Sequence, residues 1–322
     1  MILRCPGAAF HRRCATSYAR RSASSCGVLH YESIVCEGSD AAQRTHSCWV
    51  MHGVLGSGRN LRTLGKRIAS TFPHFEVKLL DHRGHGKSPS MSAPHDTSTC
   101  AADVAALAAH LSVPPPDVLV GHSLGGKVAL ASVARALARD VRPPAQVFVL
   151  DALPHSVLSS TRFSQEMSVA QVIDCLRRAT VPAPTKETVL AELAGMGMQE
   201  SMVQWMSTNL KRVPLPGGGS GLDWLFDMEV VAPLFDDVKR VDFTGLCAAA
   251  PEGTKLHFVR AGKNTAWTPA VLQDFETWHR SSRGRVELST LPDAGHWVHV
   301  DEPDKLFDIM APAFAKAGDS HT

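Results

Sequence analysis

Gly121-His122-Ser123-Leu124-Gly125-Gly126 decides how the rest of this chain is read. The apolar run 117–120 leads into it, and a small-residue helical run, 127–137, leads out. The segment is therefore G-x-S-x-G set between a strand and a helix, the context in which that motif carries meaning. A sharp turn there lifts the Ser123 hydroxyl clear of a sheet. Gly121 and Gly125 leave space in the turn that a Cβ would fill.

Working outward, segments 28–36, 47–51, 75–80 and 146–150 read as strands, and 60–70 and 97–111 as helices. Asp96 or Thr97 is the expected N-cap of the second helix, and Pro114-Pro115-Pro116 stops it. Strands alternating with helices predict an α/β fold, with a mostly parallel central sheet covered on both faces. The rhythm breaks from 155 to 245. Amphipathic segments at 168–179, 186–194, 200–210 and 222–234 replace the strands, which predicts a helical cap inserted after the sixth strand. The β/α alternation then resumes at 255–259, 268–280, 285–291 and 302–316. The expected division is a leader at 1–27, a core made of 28–154 and 246–316, a cap at 155–245 and a disordered tail at 317–322.

Three further motifs accompany the turn, in a fixed order. His52-Gly53-Val54-Leu55-Gly56-Ser57 ends the strand 47–51. Asp81-His82-Arg83-Gly84-His85-Gly86-Lys87-Ser88 follows the strand 75–80. Ala294-Gly295-His296-Trp297-Val298-His299 follows the last strand. Together with Gly121 to Lys127, these resemble the α/β-hydrolase superfamily over roughly residues 29–315. Within it they are similar to compact serine esterases, a group spanning bacterial short-chain acyl esterases and the mitochondrial α/β-hydrolase domain-containing protein 11.

The resemblance implies a serine nucleophile, Ser123, because a serine is a poor nucleophile until a base and an orienting acid activate it. It implies that His296 is the general base, ahead of His52, His82, His85, His122 and His299. The acid is open. The segment 259–267, where an aspartate is common, contains no carboxylate and has Asn264 instead. Asp151, closing the strand 146–150, is one candidate. Glu229, in the cap, is the alternative. The oxyanion hole would use the backbone N–H groups of Val54 and Leu124. Arg83 and Asp81 belong to a structural brace behind the turn. Gly217 to Gly221 lacks the lysine of a phosphate-binding loop and reads as a flexible cap turn.

The implied activity is hydrolysis of carboxylic esters or thioesters with short- to medium-chain acyl groups, through an acyl-serine intermediate. Trp205 and Trp224 are the expected lining of an apolar acyl pocket. Two alternatives stand beside it: an acyltransferase using the same residues, and a non-catalytic member of the fold that binds a ligand or a protein partner. No cofactor and no metal are expected.

Bulk properties fit one large domain. The 322 residues carry a formal net charge of +2 and 44% apolar residues, which implies no nucleic-acid partner. No apolar run reaches the ~18 residues of a membrane span. The eight cysteines have no C-x-x-C or metal-like spacing and read as free thiols. The first 27 residues contain five arginines and no acid, among several serines, the composition of a mitochondrial transit peptide, so a matrix location is expected.

Overall fold

The computed structural model describes residues 27–40, 42, 44–157, 169–215 and 217–319. The expected transit segment lies outside them except for Gly27.

The sheet is built around β4 (Val118–His122), buried along its whole length. An unbroken apolar run suits a strand covered on both faces. Around it lie β1 (Tyr31–Ile34), β2 (His46–Met51), β3 (Phe75–Leu80), β5 (Gln146–Leu150), β8 (Lys255–Ala261) and β9 (Val286–Leu291). The order is β1-β3-β2-β4-β5-β8-β9, with β1 antiparallel to β3 and every other pair parallel. Alternation along the strands divides the core in two. Trp49, Met51, Leu119, Val147 and Val149 face the layer of α2 (Thr97–Leu111), α3 (Leu124–Leu137) and α9 (Pro269–Ser281). Cys48, Val50, Val118, Val120, Phe148 and Leu150 face the layer of α1 (Arg62–Thr71) and α11 (Pro303–Asp319), and the short α8 (Thr244–Ala248) and α10 (Val298–Asp301) precede α9 and α11 in the chain. As expected, Asp96 caps α2, accepting from Thr99 N–H.

Register brings the strand ends to one edge. Met51 lies opposite Gly121, His122 opposite Leu150, Leu150 opposite Val259, and Ala261 opposite Leu291. The chain leaves β2 for β3 on one side, then returns to place β4 on the other. The crevice beyond β2 and β4 is therefore a topological switch point, where open α/β sheets bind ligands.

Two expectations about the insert need correction. It follows the fifth strand in chain order, not the sixth, because among the described residues only one strand, β1, precedes β2. It is also not all helical. Beside α4 (Val169–Arg178), α5 (Lys186–Gly195), α6 (Glu200–Ser207) and α7 (Met228–Arg240), it holds an antiparallel hairpin of β6 (Leu210–Pro214) and β7 (Ser220–Trp224). These strands are short and polar, so no apolar run announces them. Gly217, Gly218 and Gly219, at φ 95°, 102° and 86°, make the reversal. What reads as a flexible turn is a hairpin loop. At the C-terminus α11 continues to Asp319, into the segment expected as a disordered tail.

Lys127 fastens both stems of the insert to α3. Its Nζ donates to the carbonyls of Pro154, His155 and Val241 at 3.3, 2.8 and 2.9 Å. Burial pulls its pKa down to about 8. Among the described residues, no helix is long and apolar enough to cross a membrane.

Candidate active site

Ser123 sits between β4 and α3 at φ 52° and ψ −113°, a conformation that costs a non-glycine residue about 1–3 kcal/mol. The surroundings over-determine it. Ser123 N–H donates to Leu150 O at 3.0 Å, and Gly125 N–H donates to His52 O at 3.1 Å. A Cβ on Gly121 would come within 2.1 Å of Gly125 O, and one on Gly125 within 2.4 Å of Met51 O. The two glycines thus let three backbone segments meet where side chains would hold them apart.

Asp151 leaves β5 one strand away, at φ 43°. Its side chain is wholly buried and collects four donors: Ala261 N–H at 3.0 Å, Trp267 Nε1–H at 2.7 Å, Asn264 Nδ2–H at 2.8 Å and His296 Nδ1–H at 2.8 Å. Buried carboxylates need such partners to remain charged. The altered segment 259–267 therefore supplies donors to an acid on the neighbouring strand. Sequence reasoning missed Asn264 and Trp267 in that role. The signal was present: an amide where an acid is usual, and an indole N–H three residues on.

His296 follows β9. Asp151 fixes its Nδ1, which leaves Nε2 free to face other groups, and its side chain is 41% exposed. Its carbonyl accepts from His122 Nε2–H at 2.8 Å, which ties the loop to the residue beside Ser123. Ser123 Oγ and His296 are not hydrogen-bonded here; such bonds often tighten only with substrate bound. Glu229 lies elsewhere, exposed on the first turn of α7, where its N–H is capped by Asp227 Oδ1 at 2.9 Å.

The loop after β2 completes the edge. Neither Val54 N–H nor Leu124 N–H finds an acceptor among the described residues. Three buried histidines hold this loop. His52 Nδ1–H donates to Gly53 O at 2.7 Å, while its Nε2 accepts from His82 N–H at 3.0 Å. His82 Nε2–H donates to His52 O at 3.1 Å. His85 Nδ1–H donates to Arg83 O at 2.9 Å, and its Nε2 accepts Leu55 N–H at 3.3 Å. Burial keeps all three neutral: it lowers His52, takes His82 well below the usual histidine range, and brings His85 to about 3. They orient backbone. His122 and His299 stand beside His296, and burial holds His122 far below the ordinary range and His299 at about 4.

The segment 81–88 is a brace, with its partners now defined. Arg83 pairs bidentately with Asp103 of α2, at 2.7 and 2.8 Å. Asp81 accepts from Gly58 N–H, Lys87 N–H and His30 Nδ1–H. The same turn docks the insert: Asp227 N–H donates to Gly84 O at 2.7 Å, and His85 bridges Phe226.

The insert meets the edge with apolar groups. Leu55 belongs to the insert's own core, with Val54 against it. Trp205 of α6 lies 5.5 Å, ring centre to ring centre, from Trp297, the residue after His296. Trp224 is buried and stacked on Phe226 at 5.6 Å, so it packs the insert's interior and not a pocket wall.

This architecture matches a family model, the alpha/beta hydrolase family, over residues 38–309. The chain is 25% identical over 269 residues to the sn-1-specific diacylglycerol lipase ABHD11 of Mus musculus, covering 82% of this chain and 80% of that protein. It is 24% identical to a probable alcohol acetyltransferase of Saccharomyces cerevisiae, covering 81% and 75%. The esterase EaEST of Exiguobacterium antarcticum shares the fold, with a TM-score of 0.60, 16% identity, and 89% and 95% of the two chains covered.

Proposed function

We propose that this chain, which belongs to the alpha/beta hydrolase family, is a serine hydrolase that cleaves carboxylic esters or thioesters through an acyl-Ser123 intermediate. One observation carries the reading. A fully buried Asp151 carboxylate, satisfied by three other donors, holds His296 Nδ1–H at 2.8 Å on the edge where Ser123 turns.

In this mechanism His296 Nε2 removes the Ser123 proton as Oγ attacks the substrate carbonyl. Asp151 stays ionised and stabilises the imidazolium. The amides of Val54 and Leu124 receive the developing alkoxide, each donor contributing about 3 kcal/mol of transition-state stabilisation. The tetrahedral intermediate collapses, the C–O or C–S bond breaks, and His296 returns the proton to the departing alcohol or thiol. Water, deprotonated by His296, then attacks the acyl group and frees Ser123.

The partly buried Val54 and Trp205, apolar groups packed against the insert's core, support short- to medium-chain acyl substrates. The identity to a probable alcohol acetyltransferase keeps a second reading, acyl transfer to an alcohol in place of water. The acid-free, arginine-bearing first 27 residues support delivery to the mitochondrial matrix.

Matched p-nitrophenyl esters and acyl-CoA thioesters, assayed with wild type and Ser123→Ala, test the proposal. Turnover that falls by at least ~10⁴-fold in the variant is expected. Equal turnover in both proteins would overturn it. Ester products recovered with added alcohols would mark transfer.

A further inference from the structure

We propose that His122 is a positioning residue that sets His296 against Ser123 through its hydrogen bond to the His296 carbonyl. The inference rests on the serine-hydrolase reading above. His122 is the last residue of β4 and immediately precedes Ser123, so its Cα shares the strained turn. Its side chain is buried and reaches across the edge, where Nε2–H donates to His296 O at 2.8 Å. The ring packs 4.7 Å from His296 and 4.8 Å from His299, centre to centre. On a third side it lies against the loop after β2, where a Cβ on Gly53 would come within 2.9 Å of His122 Nδ1.

One imidazole thus touches the base and the loop carrying Val54, and is covalently next to the nucleophile. A carbonyl only accepts, so the bond to His296 O fixes the Nε2–H tautomer and leaves Nδ1 without a proton. Burial, and the neighbouring His296 and His299, keep the ring uncharged. His122 therefore adds no repulsion when His296 becomes an imidazolium. His296 is held at two points: the ring by Asp151 through Nδ1, the backbone by His122. With both fixed, the orientation of the His296 ring is set without a search over loop conformations. An apolar side chain at 122 would fill a similar volume and remove the anchor at His296 itself, leaving the loop held only by its neighbours, through Gly295 N–H to Asp301 and Lys263 N–H to Ala294 O.

The test is steady-state hydrolysis of p-nitrophenyl butyrate by wild type, His122→Leu, His122→Met, His122→Gln and Ser123→Ala, with melting temperatures for each. The leucine and methionine variants are expected to lose kcat by roughly 10- to 100-fold, with KM little changed, the cost of a base displaced by a fraction of an ångström to an ångström. Glutamine, whose amide N–H has similar reach, is expected to recover most of the loss. If leucine does not fold, the methionine and glutamine pair carries the comparison. A folded apolar variant with wild-type kcat, or a glutamine variant as poor as the apolar ones, would overturn the inference alone. Ser123→Ala retaining full activity would overturn the serine-hydrolase reading and this inference with it.

Discussion

The core and the insert approach the same edge with different materials. The core presents backbone that cannot relax. Ser123 and Asp151 sit at φ 52° and 43°, enclosed by hydrogen bonds to Leu150 and Val259 and by glycines with no room for a Cβ. His52, His82, His85 and His122 there are buried, neutral and committed to backbone partners. The insert presents adaptable apolar bulk. Six of the ten methionines lie between 155 and 245, and Met196, Met198, Met202, Met206 and Met228 pack its interior. Flexible thioethers fill irregular space and tolerate repacking. Beyond His155 the insert has no histidine. On the function proposed above, the two regions divide the labour: the rigid edge would carry the chemistry, and the softer insert would select the acyl group.

The largest effect that would break this comparison lies on the rigid side. Asp151→Asn keeps the shape of the side chain but removes the charge opposite His296. A fall in kcat on the order of 10⁴-fold is expected, measured on a p-nitrophenyl ester. A loss under tenfold would mean that the buried carboxylate does not serve His296.

On the soft side the effect is on selection. Trp205→Ala removes the ring that meets Trp297 at 5.5 Å and opens space beside His296. The ratio of kcat/KM for octanoyl over acetyl esters should rise by about 10-fold, the usual scale of apolar pocket discrimination. An unchanged ratio would place selection elsewhere.

A test on stability, apart from the kinetic ones, sharpens the comparison through pH. His52, His82, His85 and His122 are buried with lowered pKa values. Below about pH 6.5 these groups take up protons in the unfolded chain but not in the folded one, so acid favours unfolding. Stability is full above that pH and falls as pH drops toward the folded values, about 3 for His85. Each group contributes on the order of 1 kcal/mol per pH unit within that window. The urea midpoint should therefore decline steadily from pH 6.5 to 4.5. A flat profile would contradict the neutral, backbone-committed reading of these histidines.

The same division explains what the sequence made legible. The turn at 121–126, the brace at 81–88 and the loop at 294–299 each combine glycine with a chemical residue at short spacing, because sterics at a tight turn demand it. Ser123, His296 and the motif at 81–88 could therefore be singled out as candidates from the sequence. Asp151 was one of two candidates, since the choice depends on which strands are neighbours; the β5–β8 pairing brings Asn264 and Trp267 to it. The hairpin β6–β7 was missed because its strands are short, polar and outside the main sheet. The contact of Leu55 with the insert's core was invisible too, as packing between distant segments leaves no local period.

The most direct test of the account is the rate at which a fluorophosphonate probe modifies Ser123 in wild type, Asp151→Asn and Glu229→Gln, with the site mapped by mass spectrometry. Equal labelling of Ser123 is expected in wild type and Glu229→Gln, and labelling slowed by orders of magnitude in Asp151→Asn. Rapid labelling of Asp151→Asn, or its loss in Glu229→Gln, would contradict it.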